Sequence, residues 1–175
     1  MDGTVVRGDI VRYYVHHRTR GLSAARRALW IAAYLPRVAR WIWLDRSDRA
    51  RMNVEFYRGY AGMDESALAR AAEEDFPTTL GRRVFAGARA AIERHRAEGA
   101  RIVFLTGSLD LLVRPLARHL GADALLAVRM TARDGVLTGE LEGPPLAGEE
   151  KARAARAWAL EQGVDLARSV AYGDS

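Results

Sequence analysis

The sequence predicts an α/β protein, a parallel sheet wrapped by helices, with an all-helical unit inserted near the N-terminus. Three observations carry that reading. After about Thr79, helical periodicities alternate with short apolar runs, the pattern of a parallel sheet. Before it, residues 10–51 hold ten Arg against two acids, Asp45 and Asp48, together with Trp30, Trp41, Trp43 and three Tyr. Breaks in composition near Asp9 and after Ala61 mark that stretch as an insert. Finally, the residues able to carry chemistry fall at predicted strand ends, where open parallel sheets bind ligands.

Each element has its own signal. Within the insert, Ala28, Ile31, Leu35, Val38 and Ile42 recur at three- and four-residue spacing, with Arg26, Arg37 and Arg40 on another side, so the segment is an amphipathic helix. Pro36 either kinks it or opens a second helix. A helix through Asn53 to Tyr60 follows, then one from Asp64, its cap, to about Asp75. Phe85, Ala88, Ile92 and His95 mark a helix face closed by Gly99. Arg101 to Leu105 is a buried strand that runs into Thr106-Gly107-Ser108. Leu109, Leu112, Val113, Leu116 and Leu120 form the next helix face, interrupted by Pro115 and stopped at Gly121. Leu125 to Thr131 and Val136 to Leu141 form a hairpin across Asp134-Gly135. An Ala-rich helix spans about Glu149 to Gln162, and Ser169 to Tyr172 is a last strand entering Gly173-Asp174-Ser175.

Composition narrows the chemistry. At 175 residues the chain is one domain, or one domain with an insertion, and can bury roughly 70% of its unfolded surface. Hydrophobic residues at 49% and charged residues at 28% exclude wholesale disorder. With no cysteine, disulfides, thiol nucleophiles and zinc–thiolate sites are excluded. Met-Asp-Gly-Thr has none of the features of a signal peptide, and the longest apolar run, Ala28 to Pro36, is half a bilayer span. A soluble, cytoplasmic protein is expected. Of 27 basic residues 26 are Arg, and the single Lys, Lys151, opens a predicted helix. A compact ammonium and a planar fork are not interchangeable beside one anion. The four histidines are scattered without metal-ligand spacing.

Asp2-Gly3-Thr4, Val103-Phe104-Leu105-Thr106, Lys151 and Gly173-Asp174-Ser175 are each ordinary alone. In this order and spacing the set resembles the four motifs of the haloacid dehalogenase superfamily, subfamily IB, the phosphoserine-phosphatase-like hydrolases. Arg118-His119-Leu120-Gly121 and Gly143-Pro144-Pro145 add to the likeness, which covers essentially the whole chain. The resemblance implies a Rossmann-like core at 1–12 and 79–175, with a helical cap at 13–78 that closes over the site. It implies Mg²⁺-dependent hydrolysis of a small phosphate monoester through an aspartyl-phosphate. Asp2 is then the general acid and base, Thr106 and Gly107 hold phosphoryl oxygens, Lys151 neutralises their charge, and Asp2 (through its carbonyl) and Asp174 hold Mg²⁺.

Two departures bear on this. The family's nucleophile, the first Asp of Asp-x-Asp, falls immediately before Met1, and the second acid of the fourth motif falls beyond Ser175, so a chain clipped at both ends and inactive as written is expected. Asp9 stands where relatives carry a substrate-binding Glu, or it caps the helix beginning at Ile10. Arg58 can reach a substrate anion or is a solvated Arg. The basic, Trp-rich insert is a solvated face, a groove for an anionic substrate, or a docking face for anionic membrane. No nucleic-acid module is recognisable, and no nucleic-acid partner is expected. A non-catalytic relative kept for binding is the other reading open at this point, and a membrane-peripheral phosphatase of a phosphorylated lipid is a third.

Overall fold

The computed structural model describes residues 3–7, 10–47 and 49–173, leaving aside the side chains of 10, 42, 45–47, 49 and 50. Asp2, Asp9 and Asp174 lie outside the described residues.

Among the described residues of 10–83 the structure is helical, with α1 (Ile10–Arg18), α2 (Ala24–Ser47), α3 (Arg49–Tyr57) and α4 (Glu65–Asp75), and with 3-10 turns at Arg58–Tyr60, Phe76–Thr78 and Gly81–Arg83. Asp64 caps α4 as expected, its carboxylate accepting the Ala67 amide at 2.6 Å. Then come α5 (Ala86–Ala97), β1 (Val103–Leu109), α6 (Asp110–His119), β2 (Ala124–Val128), β3 (Met130–Arg133), β4 (Val136–Leu141) and α7 (Glu149–Glu161). β1 and β2 pair in parallel across α6, with Val103 opposite Ala124 and Leu105 opposite Leu126. β3 and β4 form an antiparallel hairpin. Its two-residue turn places Asp134 at φ 50° and Gly135 at φ 76°, the left-handed pair that such turns require.

Two cores hold these parts together. Val6, Leu80, Ile102, Phe104, Leu116 and Leu120 pack in one, which seats the N-terminal segment against β1 and α6. The other is aromatic: Tyr14, Tyr34, Trp41, Phe56, Tyr57 and Tyr60 of the helices meet Leu109, Leu112, Val128, Met130 and Leu137 of the α/β part. The predicted α6 face is buried throughout, and Pro115 is buried within an unbroken helix.

Several expectations need correction. The strand expected over 125–131 divides at Arg129, because its first half pairs with β1 and its second with β4, two sheets that one straight segment cannot serve. The first strand runs from Val103 to Leu109 and alternates in burial, as a strand with one face on the core does. Ser169 to Tyr172 is exposed and forms no strand; no ladder partner meets it among the described residues, and the Tyr172 hydroxyl bonds His95 Nε2 at 2.8 Å instead. Helix α2 continues through Pro36, so no second helix opens there. Of its expected apolar face, only Val38 packs against the core among the described side chains. Ala28, Ile31 and Leu35 are exposed, while Trp30, Tyr34, Val38, Trp41 and Leu44 turn inward. Both faces are apolar, and the aromatic one buries more surface per residue, so it takes the core.

Candidate active site

The Thr106-Gly107-Ser108 stretch singled out in the sequence lies in the second half of β1 rather than after it. Pairing with β2 is irregular between Leu105 and Leu109, which takes this stretch out of the regular ladder. Thr106 is 2% exposed, and its Oγ1 accepts the Ser108 amide at 3.1 Å. That contact uses a lone pair and leaves the hydroxyl proton to be donated. A side chain at Gly107 would stand 3.0 Å from the Leu146 carbonyl, so the loop leading to α7 passes directly over this end of the strand. Lys151, half-buried in the first turn of α7, follows from that loop, and α7 packs against β1. Lys151 makes no ion pair with a described residue.

Thr106, Gly107 and the start of α7 are thus brought to one end of β1. Asp2 and Asp174, expected here from their motifs, and Asp9, expected as a substrate contact or as the cap of α1, lie outside the described residues; Gly3 and Gly173, next to Asp2 and Asp174, are exposed. Gly3 opens a turn, its amide bonded to the Val6 carbonyl at 3.0 Å. The Mg²⁺ donors implied by the motifs, Asp2 and Asp174, are an all-oxygen set of the kind a hard cation takes. Sequence reasoning missed Tyr57. From the end of α3 its hydroxyl donates to the Gly107 carbonyl, so the helical segment is tied to the end of β1 that carries the motif. Nothing in the spacing of Tyr57 announces that contact. Arg58, beside it, is exposed and lines a separate cavity of about 580 Å³ within the helical segment.

A sequence profile of the haloacid dehalogenase-like hydrolases matches residues 1–175. The chain belongs to that family. This haloacid dehalogenase-like hydrolase is 34% identical over 131 residues to a Mycobacterium tuberculosis protein named "Probable phosphatase Rv3661", a match covering 75% of this chain and 45% of the relative. It is 31% identical over 114 residues to phosphoserine phosphatase SerB1 of the same species, covering 65% of this chain and 37% of the relative. The chain therefore spans less than half the length of these curated relatives. A substrate-bound phosphoserine phosphatase complex superposes with a TM-score of 0.65 at 18% identity, covering 95% of this chain and 70% of that one. At that identity the likeness shows the fold, an α/β core with a parallel sheet and helices.

A second cluster in this haloacid dehalogenase-like hydrolase overturns the reading that its histidines are scattered. His16, His17 and Asp75 place ligand-type atoms within 4.8 Å of one another. The Asp75 Oδ2 meets His16 Nε2 at 2.8 Å and Arg20 Nε at 3.1 Å, so its charge is already engaged, and we read the group as an ion-pair cluster. The separation of 59 positions between His16 and Asp75 hides it from the sequence.

His17 is buried, with neither ring nitrogen partnered, and burial, aided by neighbouring His16, lowers its pKa from 6.5 to about 4. The unfolded chain therefore binds the extra proton first. Stability from this group is full above pH 6.5 and is lost as pH falls toward 4, by about 3 kcal/mol in all. Urea unfolding across that range should show the loss in the parent and a flattened curve in His17→Phe. Equal slopes in both proteins would exclude His17 as the source.

Proposed function

We propose that this chain forms the substrate-facing part of a Mg²⁺-dependent phosphatase that hydrolyses a small phosphate monoester through an aspartyl-phosphate. The observation that supports the proposal is the loop leading to α7 passing over Gly107, next to buried Thr106, with Lys151 in the first turn of the helix that this loop opens. A phosphate monoester is anionic, and its transfer is governed by positioning and charge neutralisation. The Thr106 hydroxyl and the Gly107 amide donate to phosphoryl oxygens, and the Lys151 ammonium offsets their charge. Asp2 protonates the leaving alkoxide and later takes a proton from the attacking water. Asp2, through its carbonyl, and Asp174 would hold Mg²⁺, which supplies further neutralisation of the phosphoryl group. The motif register assigns the nucleophile to an Asp directly before Met1. Residues 13–78 act as the cap, a reading supported by the Tyr57 bond to Gly107, and closure over the site would exclude water.

Phosphate release with and without Mg²⁺ tests this, comparing the 175-residue chain with a form extended at both ends by its flanking coding sequence. The extended form should turn over only with Mg²⁺, and changing its nucleophilic Asp to Asn should abolish turnover. Comparable hydrolysis by the unextended chain would overturn the nucleophile assignment. An extended form that binds phosphorylated ligands without hydrolysing them would make this a binding protein instead.

A further inference from the structure

The outward face of α2 is the largest feature the phosphatase reading leaves unused. Leu29, Leu35 and Trp43 on it are 72%, 58% and 66% exposed, and Ala28, Ala32 and Ala39 between them are exposed as well. At 24 residues the helix is about 36 Å long, so this is an extended apolar stripe rather than scattered side chains. No helix among the described residues is long and apolar enough to cross a membrane, which leaves a surface to be covered from outside.

The charges around the stripe say by what. From residue 10 to residue 44 there is no Asp or Glu, while Arg26, Arg27, Arg37 and Arg40 lie on the helix. Arg37 and Arg40 also line the 580 Å³ cavity with Arg18, Arg58, Tyr34 and Trp41, and the Arg37 guanidinium lies over the Tyr34 ring. The one carboxylate there, Glu55, is held by Arg40 at 2.8 and 3.1 Å, so three guanidinium groups of the cavity remain to meet an anion. The Nε of Arg18 is buried without a hydrogen-bond partner. A second copy of this chain does not fit the face: a symmetric contact would set arginine against arginine with no acid to answer it. Nucleic acid answers the charge but not the leucines and tryptophan. An anionic bilayer answers both, taking the apolar stripe at its acyl boundary while the arginine stems lie along it and their heads reach lipid phosphates.

We propose that α2 is an interfacial helix that docks the protein on an anionic lipid surface, with the arginine-lined cavity beside it receiving a headgroup phosphate. The docking is independent of turnover and can be read without it. The experiment is co-sedimentation of the full chain with phosphatidylcholine vesicles, with and without phosphatidylglycerol, at rising salt. Binding to the anionic vesicles should be about tenfold or more above the neutral ones and should fall as salt screens the arginines. Leu29→Glu/Leu35→Glu changes only exposed positions, so the far-ultraviolet circular dichroism should be retained while binding falls roughly tenfold. Arg37→Glu/Arg40→Glu should remove the preference for anionic vesicles. Equal or negligible binding to both vesicle types would overturn the proposal. So would full binding by the folded Leu29→Glu/Leu35→Glu variant, or a dimer in sedimentation equilibrium that this variant dissolves.

Discussion

Lys151→Arg should lower turnover of an aryl phosphate by about 100- to 1,000-fold in the extended protein, although the charge is kept. The argument starts with α7. Gly148 precedes it at φ 49°, Glu149 and Glu150 occupy its first two positions, and Lys151 is the third. The positive end of a helix dipole lies at this terminus, so a cation there costs stability, about 0.3–1 kcal/mol. No described acid pairs with Lys151 to offset that. The proposed phosphate contact would account for a cation at this terminus, in the helix that follows the loop crossing Gly107. An ammonium can sit as a point charge beside one phosphoryl oxygen, whereas the guanidinium fork needs more room and a second acceptor. Lys151→Ala should therefore leave the melting temperature unchanged or slightly raised while also losing activity. Steady-state kinetics with Mg²⁺, together with thermal melts of the two variants, check both halves. Near-parental kcat/KM for the Arg variant would remove Lys151 from the site.

Local signals were the legible ones. Asp64 before Glu65 and Asp134-Gly135 between alternating strands each name a short-range geometry, and both are found. The α6 face was readable because one apolar stripe on that helix has no rival. Helix α2 was misread for the opposite reason: it carries two apolar stripes, and periodicity does not rank them. Ranking needs the aromatic partners Tyr14, Phe56 and Tyr60, which arrive from other helices. The split of 125–131 at Arg129 likewise depends on where β1 and β4 stand, not on the segment's own residues. At the candidate site, motif order pointed to Thr106, Gly107 and Lys151, and the loop that crosses Gly107 leads into the helix that carries Lys151. The Tyr57 contact, spanning 50 residues, and the Asp75 cluster were not, because no local pattern encodes either.

Tyr14→Ala should be the most destabilising single change in the helical segment, by about 3–5 kcal/mol. Tyr14 is fully buried, and its ring lies 4.8 Å from Tyr60, 5.5 Å from Phe56, 5.6 Å from Tyr34, 6.0 Å from Trp41 and 6.2 Å from Trp30, centroid to centroid. Those five rings come from α2, α3 and the turn after it, so this one side chain of α1 joins every element of the aromatic core up to residue 60. Most of the contacts are edge-on or tilted, the arrangements that add to burial. Its hydroxyl has one proton, donated to the Gly59 carbonyl at 2.9 Å, so the 2.8 Å bond to Tyr34 has Tyr34 as its donor. Truncation to Ala empties a cavity the size of a ring and leaves both partners unsatisfied. Tyr14→Phe keeps the ring and loses only the hydroxyl, at about 1–3 kcal/mol, because the Gly59 carbonyl is orphaned. The comparison separates packing from hydrogen bonding in urea unfolding followed by far-ultraviolet circular dichroism. If Tyr14→Ala cost no more than Tyr14→Phe, the ring would not be what holds α1, α2 and α3 together, and the arrangement of the aromatic core given above would be wrong.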